Sequence, residues 1–108
     1  MSDKFILDER GQPKAEPDLM AWADWIETHW KTDRVFKQEQ VGDSKVSTIF
    51  LGLDRSFGSG GPPVLWETMA LGGKLDQEQE RCSGTREQAE AMHARMVERV
   101  KAAVWMGE

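Results

Sequence analysis

The feature that most constrains the fold of this chain is an apolar, β-branched segment near its centre, residues 45–53. Its sequence, KVSTIFLGL, is rich in residue types that strands favour. Apolar side chains occupy both alternation classes, with Val46 and Phe50 on one face and Ile49 and Leu51 on the other. A strand of this kind is typical of the interior of a sheet. The segment therefore predicts a central strand that is partly covered on both sides.

Weaker strand patterns flank this segment in residues 34–41 and 64–71, and residues 77–82 predict a short fourth strand. Turn residues separate the strands at positions 42–44 and 72–76. Such short connections favour neighbouring antiparallel strands. The pattern predicts an antiparallel meander of three or four strands.

Two helices frame the strands in the sequence. The first is predicted from about Pro17 to Trp30, because proline suits the first helical turn. Trp25 lies off the predicted apolar stripe of this helix, whose members are Leu19, Trp22, Ala23, Ile26 and Trp30.

The second helix has the clearer start signal, because Thr85 and Gln88 have the spacing of a capping box. Its predicted apolar face consists of Ala89, Met92, Met96, Val100, Ala103 and Val104. Both helices are expected to cover one face of the sheet, which makes the chain an α+β protein. We expect a single domain over residues 1–108, with residues 1–16 as an N-terminal arm.

Composition narrows the classes of function. The chain of 108 residues has 14 basic and 19 acidic residues, a net charge of -5, which disfavours binding to nucleic acid or to an anionic membrane. Its single cysteine, Cys82, excludes an internal disulfide and a cysteine-rich zinc site. No segment approaches the roughly 20 apolar residues of a membrane span. We expect a cytoplasmic protein without a metal or a cofactor.

The glycine-rich segment 54–63 is the strongest candidate for binding a small ligand. Glycine-rich backbone can present several N–H groups to an anion, and Arg55 could add a fork of donors. The alternative is a flexible connection that ends at two prolines. The candidate ligand-binding residues are Asp54, Arg55, Ser56, Gly58, Gly60, Gly61 and Glu67.

Other polar residues offer weaker possibilities, and the sequence predicts no catalytic residue. Asp54 and Glu67 could divide acid and base roles if they shared a site, although Glu67 could equally face solvent or pair with a base. The acidic residues of segment 76–80 alternate, which suits either a hard metal or a charged edge strand. His29 and His93 lack the spacing with Cys82 that a zinc site or a recognisable Cys–His nucleophile would provide.

A sheet with helices on one face leaves its second face open. We expect that face to expose Phe50 and Trp66, together with some of Phe36 and Val64, and to mediate a homodimer or bind a partner. Phe57 in the glycine-rich segment is a further interface candidate. The alternative is that the N-terminal arm folds over Phe50 and fills this surface.

The segment VSTIFLGLDRSFGSGGPPVLWETMALGG resembles a family of small, largely uncharacterised proteins of tailed bacteriophages and prophages. The resemblance rests on the VST-aliphatic-LGLD strand at 46–54, the glycine-rich loop with its Pro-Pro end at 60–63, and the ETM strand at 67–69. It implies a phage or prophage origin and residence in the bacterial host, without a known activity.

Two functions are consistent with these observations. The first is a non-enzymatic accessory protein that binds a host or phage protein, as its small size, acidity and five tryptophans indicate. The second is a binder of a nucleotide or another small anion, which would use the 54–63 loop.

Overall fold

The computed structural model describes residues 3–29, 35–56 and 62–107. The α+β class and the two helices that the sequence predicts are confirmed. The elements in chain order are β1 (Phe5–Leu7), β2 (Pro13–Ala15), α1 (Leu19–His29), β3 (Val35–Val41), β4 (Ser44–Phe50), β5 (Val64–Leu71), β6 (Gln79–Ser83) and α2 (Arg86–Gly107).

The main sheet is a four-stranded antiparallel meander in the order β3-β4-β5-β6. The apolar strand β4 lies in its interior, as its sequence predicts. Phe50 pairs with Trp66 across β4 and β5, and Thr48 pairs with Thr68. Since paired residues of an antiparallel sheet project from the same face, these four side chains share one side of the sheet.

Two of the strands are irregular. The register shifts between Val35 and Lys37 on β3 and between Val64 and Trp66 on β5. An extra residue in one strand locally breaks the two-residue alternation of side chains. The consecutive side chains of Leu65 and Trp66 are accordingly both buried in the same apolar cluster.

Helix α2 covers the face of the sheet that carries Phe50 and Trp66. Thr85 and Gln88 form the predicted capping box, because each side chain accepts a hydrogen bond from the backbone N–H of the other residue. Up to residue 103, the buried residues of α2 are Ala89, Met92, His93, Met96, Val97 and Val100, and the predicted Val104 lies outside the described side chains. The predicted apolar face is thus confirmed from Ala89 to Val100, with His93 and Val97 as additions.

The prediction that Phe50 and Trp66 line an open face is wrong. Their side chains are 1% and 0% exposed and pack beneath α2, so they cannot anchor an interface of the folded chain. The two residues do share a face, as their alternation predicts, but it is the face that α2 covers. The proposed dimer contact through these two residues therefore loses its basis.

The N-terminal arm folds onto the domain as a second, two-stranded sheet of β1 and β2. Phe5 and Leu7 pack against the cluster that contains Phe50, as the alternative for the arm anticipated. Gln12, in the turn after β1, accepts a hydrogen bond from the Arg86 N–H at 3.0 Å and donates one to Glu87 at 2.9 Å. The arm is thereby fastened to the first turn of α2.

Helix α1 packs through Trp22, Ala23 and Ile26 of the predicted stripe, while Trp30 lies outside the described residues. Trp25 faces inward and meets Phe50 edge-on at 5.9 Å between ring centroids, whereas Leu19 is 59% exposed. Trp22 donates its indole N–H to the carbonyl of Gly52 at 2.9 Å. The inward stripe therefore includes Trp25, which contacts the sheet, and leaves out Leu19.

Gly52 permits the close approach of α1. Its backbone has a φ of 74°, which an L side chain rarely adopts. A β-carbon at this position would lie 2.8 Å from the Cδ1 atom of Ile26. The same Gly52 carbonyl also accepts the N–H of Phe5 at 3.0 Å, so α1 and the arm meet the end of β4 at one residue.

Candidate functional site

The described part of the glycine-rich segment is held by Asp54. Its carboxylate accepts the backbone N–H groups of Ser56 at 2.8 Å and Val64 at 3.0 Å, which ties together the two ends of the loop. These backbone hydrogen bonds, first of all that from Ser56, lower the pKa of Asp54. Arg55 is exposed, and its N–H bonds to the carbonyl of Val64 at 3.0 Å. Asp54 thus closes the loop.

The candidate residues Phe57, Gly58, Gly60 and Gly61 lie outside the described residues. The small-anion hypothesis for this loop therefore stays a prediction. Its described base offers the Arg55 side chain, but it also carries the ionised carboxylate of Asp54.

Glu67 does not share a site with Asp54. It lies on β5, one residue from Trp66, and its carboxylate accepts a hydrogen bond from Arg81 of β6 at 2.7 Å. Among the described residues no hydrogen bond or ion pair connects Glu67 with Asp54. The pairing of Glu67 with a base on a neighbouring strand matches the structural alternative that the sequence left open.

The acidic segment before and within β6 is also engaged in ion pairs and turn contacts. Glu80 pairs with Arg95 at 2.9 Å and Glu78 with Arg99 at 3.6 Å, both on α2. Asp76 accepts the N–H of Gly72 at 2.6 Å. Within residues 3–29, 35–56 and 62–107, no group of three or more His, Cys, Asp or Glu is placed to hold a metal ion.

A buried polar chain crosses the interface between α2 and the sheet. His93 Nδ1 lies 2.7 Å from the hydroxyl of Thr48, which also contacts the hydroxyl of Thr68. His93 Nε2 lies 3.0 Å from a carboxylate oxygen of Glu39 on β3. The partners assign the proton to Nε2, which donates to Glu39 while Nδ1 accepts from Thr48. The sequence analysis missed this chain, because 54 residues separate Glu39 from His93.

The connectivity of carboxylate, imidazole and hydroxyl resembles that of a hydrolytic triad. However, Thr48 and Thr68 are completely buried, and neither lines the cleft that opens between the arm, α1, β3 and the start of α2. A nucleophile must reach its substrate, so this arrangement fits a hydrogen-bonded core. Burial, as the dominant cause, lowers the pKa of His93, although the hydrogen bond to Glu39 opposes it.

Cys82 shows no sign of activation. Burial raises the pKa of its thiol above the ordinary value, which keeps it protonated and weakly nucleophilic. Both ring nitrogens of His93 already have partners in Thr48 and Glu39. The structure therefore does not support a Cys82–His93 nucleophile.

A cleft of about 380 Å³ opens where the arm, α1, β3 and the start of α2 converge. The residues that line it include four with aromatic side chains: Trp25 and His29 on α1, Phe36 on β3, and Trp66 on β5, which is itself fully buried. Trp25 and His29 stack at 4.5 Å between ring centroids, and Phe36 meets Trp66 edge-on at 5.5 Å. The bulge on β3 places Phe36 in this cleft rather than on an open face.

Charged groups of both signs line the same cleft. Asp8 and Glu9 come from the turn after β1, and Arg86 comes from the start of α2. The guanidinium of Arg86 lies 5.2 Å from the centre of the Phe36 ring, within range of a cation–π contact. No local sequence signal marks these three residues as one site, because they meet only through the docking of the arm on α2.

The outer surface of α1 combines acidic and apolar side chains. Among the described residues, the exposed large hydrophobic side chains are Leu19 at 59% and Met20 at 75%. Asp24 and Glu27 are exposed and follow Met20 at four and seven residues, which places them on one helical face. We call Leu19, Met20, Asp24 and Glu27 the α1 outer face.

Comparison with known proteins yields no relative of this chain. No family model, no curated protein and no solved structure matches it. In the described part of the chain, neither helix has both the length and the apolar character that crossing a membrane requires.

Proposed function

We propose that this chain is a non-enzymatic interaction protein that binds a basic surface of another protein through the α1 outer face. The observation that carries the proposal is the coincidence of the exposed Leu19 and Met20 with a local excess of negative charge. An apolar contact would supply affinity, and the surrounding charges would guide the approach of the partner.

The negative charge of the chain is concentrated on and before α1. Residues 15–29 contain no Lys or Arg, whereas the whole chain has 14 basic against 19 acidic residues. The four acidic residues of this segment, which leave it with a charge of -4, are Glu16, Asp18, Asp24 and Glu27. A partner with a basic patch would therefore meet its strongest local attraction here.

Part of this charge is available for a partner. Asp18 accepts the N–H of Met20 at 2.9 Å and caps the helix. Asp24 and Glu27, in contrast, form no hydrogen bond or ion pair within the described residues. Neutralising these two carboxylates should therefore alter recognition without removing a contact between described residues.

The apolar pair is unusual in its position. A single exposed hydrophobic side chain is ordinary on a protein surface. Leu19 and Met20 are consecutive, however, and each forgoes roughly 1.5–3 kcal/mol of burial by remaining in water. A partner that covers both would recover part of this free energy.

The resemblance to small phage and prophage proteins supports the same proposal. Such a protein would act in the bacterial host on a host or phage protein, by occupying a surface of its target. The small size of the chain and its acidity are consistent with this mode of action.

Affinity capture from a bacterial host lysate tests the proposal. Wild-type protein is compared with Leu19→Ser/Met20→Ser and with Asp24→Asn/Glu27→Gln, and bound proteins are quantified by mass spectrometry. We expect the amount of partner protein captured at low salt to fall about tenfold or more in both variants. A tenfold loss of affinity corresponds to about 1.4 kcal/mol of binding free energy. Raising the salt should weaken the wild-type interaction, because exposed charges are screened.

The matched control is Glu90→Gln/Glu98→Gln, which removes two exposed charges from α2. This variant should capture the partner as wild type does, and all variants should retain the wild-type circular dichroism. The proposal is wrong if no protein is enriched over empty matrix. Capture that survives both α1 variants, or that depends equally on the α2 pair, would also refute it.

A further inference from the structure

We propose that the cleft between the arm, α1, β3 and α2 is a binding site for a small molecule with a neutral aromatic ring and a hydrogen-bond donor, such as an indole or a phenol. This site is separate from the α1 outer face and does not depend on the function proposed for it. Three properties of the cleft lead to this ligand class: its preformed aromatic side chains, its charges of both signs and its size.

The aromatic wall is held in place before a ligand arrives. Trp66 donates its indole N–H to the carbonyl of Gly84 at 3.1 Å, and its ring packs on Phe50 at 5.1 Å. His29 donates a hydrogen bond from Nδ1 to the Trp25 carbonyl at 2.9 Å, which fixes its stacking on the Trp25 ring. A ring that enters a wall of this kind gains offset or edge-to-face contacts without ordering new side chains.

The charges at the cleft oppose one another. Asp8 accepts the backbone N–H groups of Arg10 at 2.8 Å and Gln12 at 3.0 Å, and these bonds lower the pKa of its carboxyl group. Arg86 is positioned over Phe36 and donates to the carbonyl of Arg10 at 3.5 Å. The lining carries two carboxylates and one guanidinium, so an anionic ligand meets repulsion from Asp8 and Glu9 and a cationic ligand meets repulsion from Arg86, whereas a neutral ligand meets neither.

The same charged groups can orient a neutral ligand. The carboxylates of Asp8 and Glu9 can accept an indole N–H or a phenol O–H, which an apolar ring of the same shape could not offer. The volume of about 380 Å³ lies near the lower end of the usual range for small-molecule sites, roughly 300–1,000 Å³. A one- or two-ring compound therefore suits the space.

Nuclear magnetic resonance titration of the indole N–H signals provides the test. The probes are indole, p-cresol, benzoate, benzamidine and cyclohexanol, each added to millimolar concentration. We expect indole and p-cresol to shift the Trp25 and Trp66 signals, with dissociation constants at least fivefold lower than those of the other three probes. The Trp22 signal is the internal control, because its N–H is bonded to Gly52 and Trp22 does not line the cleft.

Two variants test the charge argument. Glu9→Gln should improve benzoate binding by removing one negative charge, and Arg86→Gln should improve benzamidine binding by removing the positive one. Glu9 is exposed, so Glu9→Gln should leave the fold unchanged and remains informative if Arg86→Gln loses the contact with Phe36.

The proposal fails if no probe shifts Trp25 or Trp66 at millimolar concentration. It also fails if benzoate, benzamidine or cyclohexanol binds as tightly as indole, because the site would then lack the stated selectivity. Shifts that include Trp22 to the same extent would indicate nonspecific binding and would equally overturn it. Unchanged benzoate binding in Glu9→Gln would refute the charge argument for ligand selection.

Discussion

The two helices of this protein differ in how they are joined to the sheet. Helix α2 contributes six buried residues in its described part, up to residue 103, including Met92, His93 and Met96, and covers the main face of the sheet. Helix α1 has no buried residue and is held through half-buried side chains, chiefly Trp22, Trp25 and Ile26. The chain thus has one helix that builds the core and one that is attached at its margin.

This difference separates stability from recognition. The face of α2 that contacts the sheet is buried and unavailable to a partner, whereas α1 presents its outer face to solvent and also lines the aromatic cleft. Binding surfaces commonly lie on elements with modest local stability, because such elements adjust at low cost.

The largest contrast is expected between two methionines. Met92 on α2 is completely buried, so Met92→Ala should lower the free energy of unfolding by about 2–5 kcal/mol. Met20 on α1 is 75% exposed, and Met20→Ala should change it by no more than about 0.5 kcal/mol. Urea unfolding followed by circular dichroism measures both. Equal losses in the two variants would show that the helices do not differ in this way.

A smaller loss of unfolding free energy is expected at the buried polar chain, where His93 of α2 is hydrogen-bonded to the sheet. Thr48→Val removes the hydroxyl that joins His93 to Thr68 and leaves both without this partner. We expect a loss of about 1–3 kcal/mol in urea unfolding, since an unsatisfied buried polar group is costly. Ser47→Val on the same strand is the control. Among the described residues, the Ser47 hydroxyl accepts a hydrogen bond only from the exposed side chain of Gln38, at 3.3 Å. A loss equal to that control would mean that the buried chain adds no stability.

The attachment of α1 is expected to be sensitive to substitution at Gly52, which contacts Trp22 and Ile26. Gly52→Ala places a β-carbon 2.8 Å from Ile26 in a backbone conformation that costs an L residue roughly 1–2 kcal/mol. We expect a loss of that order in the free energy of unfolding. Amide chemical shifts should change in α1 and at the indole of Trp22, while those of α2 from Ala89 onward remain near wild type. Comparable changes in α2 would contradict the independent attachment of α1.

The smallest expected effect is a dependence of stability on pH that arises from His93. Burial lowers the pKa of His93 below its ordinary value of 6.5 in the folded chain, with Glu39 opposing the shift and Lys37 adding to it. The unfolded state then binds a proton more readily, so stability should fall as the pH drops below about 6.5. The melting temperature of wild type should decrease between pH 7.5 and 5.5 more than that of His93→Gln, which retains His29. Identical slopes would show that His93 does not contribute in this range.

The strand sequence predicted much of the scaffold. The bounds of β5 agree with the predicted 64–71, and β4, β6 and the cap of α2 lie close to their predicted positions. Local signals decide these elements: β-branched runs, glycine turns and a capping box. They depend on neighbours in the sequence, so a single chain is sufficient to find them.

The same local signals could not predict which face of the sheet α2 covers. Strand β4 carries apolar residues on both faces, and the buried face also contains Thr48, a polar residue whose burial depends on His93 of a distant helix. Alternation therefore grouped Phe50 with Trp66 correctly but could not show which face α2 covers. The cleft was missed for the same reason, because its residues meet only when the arm docks on α2.

Native-state hydrogen exchange tests the division between the two helices most directly. Amides of α2 between Met92 and Val100 should exchange only through global unfolding, with opening free energies that equal the stability measured in urea. Amides of α1 between Ala23 and His29 should open with a free energy lower by several kcal/mol, of the order expected for a helix held without buried residues. Equal opening free energies in the two helices would show that α1 belongs to the same cooperative core and would contradict this account.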